Sequence, residues 1–371
     1  MLTQFNLQSH FGGGELYTAF LCRALDALGV QTRLVIHPEA TFWKSLSLPY
    51  NTTLITADPK HTTHSISAHD RWLLGHGPLP KALLDSSRLC TAIAHMPIQE
   101  RSPDSYRGHD MIFPVSSWVR RGVIDAGMPV WDKPLYGVAD LDKRDLNSTL
   151  KKSSRYDWDH RKVRDHIFSK IEPFIEPLFP HPEFKKKNSI TLGIVSRLTP
   201  IKQFPLLFSI LTPIFVKYPQ FNVEIFGSGG YASVRDLDKV IQPIKDRVRF
   251  WGHQGDVATV YRKLDYLLTG LPEKEALGLN IIEAQTCGIP VLAPKAPPFI
   301  ETILDEVTGF FYSDPRTDDG ISFGELLEKL LTLPIKLDPL QATNHLDKFS
   351  LDSFIRRIEP IVGWANKELL K

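Results

Sequence analysis

The sequence predicts an α/β fold with parallel sheets in two domains, and three observations lead there. Leu2 to Leu7 reads as a short strand, Gly12-Gly13-Gly14 as a turn, Leu16 to Leu28 as an apolar-periodic helix and Gln31 to His37 as a second strand. That order is the strand–turn–helix–strand unit that opens a parallel sheet. A second such unit starts at Ser189, and 371 residues exceed what one ordinary core usually supports. The expected boundaries are 1–187 for the first domain, 188–349 for the second, and 350–371 for a helix that returns to the first.

Bulk composition narrows the class. The chain is 42% hydrophobic and 23% charged, as soluble globular proteins are. Its 44 basic and 42 acidic residues leave a net charge of +2, which gives no nucleic-acid signature. Cys22, Cys90 and Cys287 lie far apart without metal spacing, as reduced core thiols of a cytosolic protein do. The N-terminus lacks a basic region followed by an apolar run, and no apolar run approaches the roughly twenty residues of a membrane span. A cytoplasmic protein is expected.

In the first domain, Gly29 stops the first helix. The glycines before that helix let backbone approach a ligand closely, although a glycine-rich turn without a ligand explains them equally well. They lack the GxGxxG spacing of a dinucleotide site. Arg88 to His95 is an apolar strand with His95 at its end, the edge where open α/β sheets place ligands. A surface histidine that starts a loop would look the same. Met111 to Ser116 is the next strand, followed by a helix from Trp118 to Ala126.

Residues 140–187 break the rhythm. Lys143, Arg144, Lys151, Lys152, Arg155, Arg161, Lys162, Arg164 and Lys185-Lys186-Lys187 make a basic insertion, with prolines clustered between Pro173 and Pro182. A solvated basic face accounts for it, and so does attraction to anionic lipid headgroups or a phosphorylated acceptor.

The second domain repeats the α/β pattern. Ile190 to Val195 is a strand, then Ser196 to Lys202 a loop, Phe204 to Tyr218 a helix and Phe221 to Phe226 a strand ending at Gly227-Ser228-Gly229-Gly230. Arg247 to Trp251 and Leu264 to Leu271 are further strands. Arg197 and Lys202 leave one strand end in one loop, so both can point at the same anion. Glu275 and Glu283 follow, with Gly278 between them, a short helix pattern through Ile281, Ile282 and Ala284, and Gly288 at its C-cap. Peptide N–H groups at such a helix start can hold phosphate oxygens while flanking carboxylates take sugar hydroxyls. Ile289 to Ala293 reads as a buried strand and Leu351 to Leu370 as the closing helix.

Six segments, in order, resemble the retaining glycosyltransferase family 4 of GT-B fold, as found in bacterial surface-polysaccharide and glycolipid enzymes. They are Phe11-Gly12-Gly13-Gly14-Glu15, Ile93-Ala94-His95, Val115-Ser116-Ser117-Trp118-Val119, Tyr136-Gly137-Val138-Ala139-Asp140, Ser196-Arg197-Leu198 through Lys202, and Glu275 to Glu283. The last resembles the paired-glutamate motif and is the most specific. Two departures stand out. Tyr136 replaces a common asparagine, and Ala296-Pro297-Pro298 replaces a glycine pair, which removes backbone donors there.

The resemblance implies two Rossmann-like domains whose parallel sheets face across a cleft. It implies transfer of a hexose from a nucleotide diphosphate sugar, UDP favoured over GDP, to a saccharide or lipid-linked acceptor in surface glycan (lipopolysaccharide-type) synthesis. Arg197, Lys202 and the peptides of Gly278, Leu279 and Asn280 would hold the diphosphate, Glu283 the ribose and Glu275 the sugar. His95 would contact the sugar or steady the transition state, and backbone near Trp251, Gly252 and His253 would lie by the base. No metal or other cofactor is expected, because two basic side chains and a helix start can replace a metal's charge. Neither Asp140-Leu141-Asp142 nor Asp236-Leu237-Asp238 closes a strand at a ligand edge. Peripheral contact with the inner face of the cytoplasmic membrane would use the basic insertion.

Two alternatives remain. An NAD-dependent oxidoreductase needs a complete GxGxxG with a ribose-binding acid, which the chain lacks. A non-catalytic partner subunit would be expected to lose Glu275, Glu283, Arg197 or Lys202, and all four are present.

Overall fold

A computed structural model of the chain describes residues 1–98, 103–141, 149–158, 165–167, 170–171, 182–272, 275–332 and 337–371. Contacts divide the chain into two units. The first is Met1–Asp140 with Glu275–Leu279 and Asp347–Lys371, and the second is Leu141–Lys274 with Asn280–Leu346.

The first unit is built on a six-stranded parallel sheet of β1 (Leu2–Asn6), β2 (Thr32–Ile36), β3 (Thr52–Thr56), β4 (Trp72–Gly75), β5 (Leu89–Ala94) and β6 (Met111–Pro114). Its order is β3-β2-β1-β4-β5-β6, so the direction of winding reverses between β1 and β4. Register runs from Leu2↔Thr32 to Asn6↔Ile36 on one side of β1 and from Leu2↔Trp72 on the other. All five residues of β1 are buried, as a central strand covered on both faces requires.

The helix Gly13–Ala27 buries Tyr17, Phe20, Leu21, Ala24 and Leu25 on one stripe, and Gly29 ends it with a left-handed φ of 72°. It starts three residues before the Leu16 expected from sequence. Gly13 and Gly14 are therefore its first turn and Gly12 its N-cap, not a free loop. Tertiary packing overrides weak glycine propensity here, because a Cβ on Gly14 would lie 2.6 Å from the His76 ring. Strands β3 and β4 escape the sequence reading. One is a half-exposed edge strand and the other is only four residues long.

The helix Leu351–Glu368 belongs to this unit. Ser350 caps it by accepting the Ser353 N–H, and Phe354, Ile358, Ile361 and Ala365 make its buried stripe. Phe354 meets the Tyr17 ring edge-on at 5.3 Å, and Trp364 packs on Trp131 at 5.8 Å.

The second unit has its own parallel sheet of β7 (Ile190–Val195), β8 (Phe221–Phe226), β9 (Val248–Gly252), β10 (Tyr266–Leu268), β11 (Val291–Pro294) and β12 (Gly309–Tyr312). The order β12-β11-β10-β7-β8-β9 reverses between β10 and β7. β10 is three residues, shorter than the Leu264–Leu271 run, because only those residues pair with β7 and β11. Leu192, Ile194, Val223 and Ile225 of the sheet pack with Phe208, Phe215 and Phe323 from flanking helices.

Of the basic insertion, Lys143, Arg144, Arg161, Lys162 and Arg164 lie outside the described residues, as do Asp142 and the proline-rich stretch from Pro173 to Pro180. Residues 151–157 are described. They run along the turns after β8 and β9, where Gly229 N–H donates to the Arg155 carbonyl and Asp157 N–H to that of Gly229.

Candidate functional site

In a doubly wound sheet, the backbone after adjacent strand ends splays apart where the winding reverses, leaving a crevice at the carboxyl edge. In the second unit that edge follows β7 and β10. The loop after β7 carries Arg197, exposed, and the single 3-10 turn Pro200–Lys202. It passes into the helix Phe204–Lys217 through Gln203, a non-glycine residue held at a left-handed φ of 53°. A Cβ on Gly270 would lie 3.0 Å from the Lys202 carbonyl, so the turn after β10 packs against this loop. Asn280, in the first turn of the helix Leu279–Thr286, donates its side-chain N–H to the Val195 carbonyl at 3.2 Å. Arg197, Lys202, Asn280 and Glu283 thus stem from the two segments that meet at the reversal.

Glu283 is half-buried, and the Tyr261 hydroxyl donates to its Oε2 at 2.8 Å. Burial pushes the Glu283 carboxyl up to about 7, and the Tyr261 hydrogen bond offsets only part of that. Tyr261 is held well above the usual phenol range by burial and by Glu283.

The paired-glutamate stretch is split between the units, with Glu275 to Leu279 in the first. Gly278 takes a left-handed φ of 79°, and its N–H donates to Glu275 Oε1 at 3.2 Å. The Leu279 methyls lie 3.2 and 2.7 Å from where Cβ atoms on Gly13 and Gly137 would be. Glycine at those positions therefore admits Leu279.

The Trp251–His253 backbone is already engaged. Ser153 N–H and Oγ donate to the Trp251 carbonyl at 2.9 and 3.1 Å, and Ser153 Oγ also reaches the His253 carbonyl at 2.8 Å. The Gly252 carbonyl accepts the Gly227 N–H at 2.7 Å. The Trp251 indole is buried and donates to Glu224. In the Ala296-Pro297-Pro298 stretch the Ala296 N–H bonds the Pro294 carbonyl, and the prolines carry none. Asp236 and Asp238 pair with Arg235 and Arg155. Among the described residues, no group of three or more His, Cys, Asp or Glu is placed to hold a metal ion.

In the first unit the corresponding edge follows β1, β4 and β5. His95, directly after β5, is packed between two rings, Tyr17 edge-on at 4.7 Å and His76 at 4.2 Å. Burial, then the neighbouring His76, holds the His95 imidazole well below its usual range. Its Nε2 is buried without a hydrogen-bond partner among the described residues. His76 follows β4 and is pushed down to about 4 by burial. Sequence reading missed His76, Thr18 and Tyr17, and named Glu15 only as the end of the glycine segment. The available signal was a histidine between Gly75 and Gly77 at the end of an apolar run.

Two doubly wound parallel sheets with these reversals make the GT-B architecture of glycosyltransferases. The structure of Anabaena HepE in complex with UDP and glucose has the same fold, with a TM-score of 0.68 and 18% identity over 98% of this chain and 99% of that one. Residues 177–343 match the family described as glycosyl transferases group 1. An uncharacterized glycosyltransferase of Haemophilus influenzae is 26% identical over 182 residues, covering 48% of this chain and 50% of that protein. A D-inositol 3-phosphate glycosyltransferase of Rhodococcus erythropolis is 30% identical over 175 residues, 44% of this chain and 38% of that protein. The chain thus spans half or less of the length of these curated relatives.

Proposed function

We propose that the chain is a retaining glycosyltransferase that moves a hexose from a nucleotide diphosphate sugar, UDP-linked in preference to GDP-linked, to a saccharide or lipid-linked acceptor in surface glycan synthesis. One observation carries the reading most. The reversal of the second sheet brings the Arg197–Lys202 loop to the start of the helix bearing Asn280 and Glu283, within the stretch that matches the glycosyl transferase group 1 family. The relatives named as sugar transferases and the UDP and glucose in the HepE structure support the choice of donor.

The charge that develops in such a transfer lies on the departing diphosphate, and preorganised donors stabilise it best. Arg197 and Lys202 supply that positive charge, with N–H groups of Leu279 and Asn280 at a helix start. The Gly278 N–H joins them on exchanging Glu275 for a phosphate oxygen. Glu283 takes the ribose hydroxyls and Glu275 those of the transferred sugar. His95 offers Nε2 to the sugar as a neutral group. Retention then proceeds by attack on the face that the diphosphate leaves. Two basic side chains replace a metal's charge, so turnover needs no divalent ion.

No described helix is long and apolar enough to cross a membrane. Peripheral contact through exposed Lys151, Lys152 and Lys185 accounts for access to a lipid-linked acceptor, at about 1 kcal/mol per basic residue near an anionic surface. Thermal shift with UDP, GDP and NAD tests the donor class, since a ligand of the native state raises its melting temperature. Stabilisation by UDP or GDP supports the reading. Stabilisation by NAD alone overturns it.

A further inference from the structure

The described hydrogen bonds around Thr18 favour one placement of a proton in the first unit. Gln8 N–H donates to Asn6 Oδ1 at 3.3 Å, which orients that amide. Asn6 Nδ2 then donates to Thr18 Oγ1 at 3.0 Å. The Thr18 hydroxyl gives its only proton to the Gly14 carbonyl at 3.1 Å. The remaining partner of Thr18 Oγ1 is His76 Nδ1, at 3.1 Å, which is the donor when Thr18 gives its proton to Gly14. Neutral His76 is the Nδ1–H tautomer, with the Nε2 lone pair facing Glu15 Oε1 at 3.8 Å. Both side chains are buried, 13% and 6% exposed. A lone pair and a carboxylate face one another there, so a proton entering the pair lies between them.

We propose that His76, fixed by Thr18 and coupled to Glu15, is a positioning residue that keeps His95 an uncharged imidazole with Nε2 presented to the substrate sugar. The proposal rests on the reading of His95 as a sugar contact. The His76 and His95 rings lie 4.2 Å apart with 34° between their planes, too close for both to carry charge out of water. The ionisable groups on the neighbouring elements agree with this. Glu15 faces His76 from the helix Gly13–Ala27. Tyr17, on the same helix, packs on His95 and spends its hydroxyl on the Leu135 carbonyl at 2.9 Å. Arg357 acts on Tyr17 and adds positive charge on that side. A proton reaching the cluster is therefore attracted to the Glu15–His76 couple and repelled from His95. Gly14 completes the device, because any Cβ there would strike His76 Cε1 and Nε2 at 2.6 Å.

The test uses the full chain with 15N-labelled histidine. In the wild type, ring 15N shifts are expected to show His76 protonated at Nδ1 and His95 neutral from pH 6 to 8. An Nε2–H tautomer at His76, or a charged His95, overturns the proposal without any mutant. His76→Phe keeps a ring against His95 and removes the competing cation. It should raise the pH at which His95 titrates by about one unit and move the acid limb of the kcat profile upward by the same amount, so that kcat falls up to about tenfold on that limb, with UDP binding followed in parallel. An unmoved His95 titration and pH profile would show His76 to be packing only. The NMR shift in a protein that transfers no sugar from any donor would keep the coupling and discard the reading of function.

Discussion

Glu283 should lower the stability of the ligand-free protein at neutral pH, and glutamine at that position should reveal by how much. The carboxyl rises from its ordinary 4.5 to about 7 because the fold removes it from water. A folded-state value above the unfolded one means that the group's contribution is fully present below about pH 4.5. It is lost as pH rises toward 7 and constant above. At about 1.4 kcal/mol per pH unit, the elevation corresponds to roughly 3 kcal/mol, an upper figure for a half-buried group. Glutamine keeps an oxygen for the Tyr261 hydroxyl, now 2.8 Å away, and never ionises. Glu283→Gln should therefore melt roughly 5–10 °C above wild type at pH 8 and within a degree or two of it at pH 4.5. The same variant should bind UDP about ten- to a hundredfold more weakly, as expected when a charged hydrogen bond to a ribose hydroxyl is lost. Differential scanning fluorimetry at the two pH values, with and without UDP, reads both effects. A melting difference independent of pH, or a glutamine variant less stable at pH 8, would refute the argument.

Three further outcomes follow from the same geometry. Arg197→Ala and Lys202→Ala should each weaken UDP binding about tenfold, and the wild-type affinity should fall with added salt; calorimetric titration with a salt-insensitive, unchanged affinity would contradict the diphosphate assignment. Gly252→Ala places a Cβ 2.2 Å from the Ser154 carbonyl at a φ of +68°, so it should destabilise the protein by about 1–3 kcal/mol and alter discrimination between UDP and GDP, which a denaturant midpoint and two binding isotherms would check. Turnover should persist in excess chelator; activity that vanishes and returns only with Mn²⁺ or Mg²⁺ would remove the metal-free account.

Much of the fold was legible because buried parallel strands are short apolar runs between helix periods. β5 and β7 read that way, while β1 and β8 intersperse buried polar residues such as Gln4 and Glu224 with apolar ones. β3 did not, because an edge strand exposes the polar Thr52, Thr53 and Thr56 beside Leu54. β4 did not, because four residues set no period. At the candidate site, Arg197 and Lys202 in one loop, His95 at a strand end and Glu283 in a short helix pattern were within reach as candidates. His76 and Thr18 were not, because their contact joins residues 58 positions apart through a histidine that no spacing singles out. The engagement of the Trp251 and His253 carbonyls was equally hidden. Ser153, about a hundred residues away, provides it, and a serine in a polar stretch signals nothing on its own.

The central claim is that Glu275 serves the transferred sugar, while the Arg197–Lys202 loop and Glu283 hold the nucleotide. The most direct measurement is nucleoside diphosphate release from a panel of UDP- and GDP-sugars, by wild type and by Glu275→Ala, with UDP binding followed in parallel. The account predicts release from at least one donor by the wild type, loss of at least a hundredfold in the variant, and UDP affinity within about threefold of wild type. Release by the variant at the wild-type rate, or no release from any donor by either protein, would contradict it.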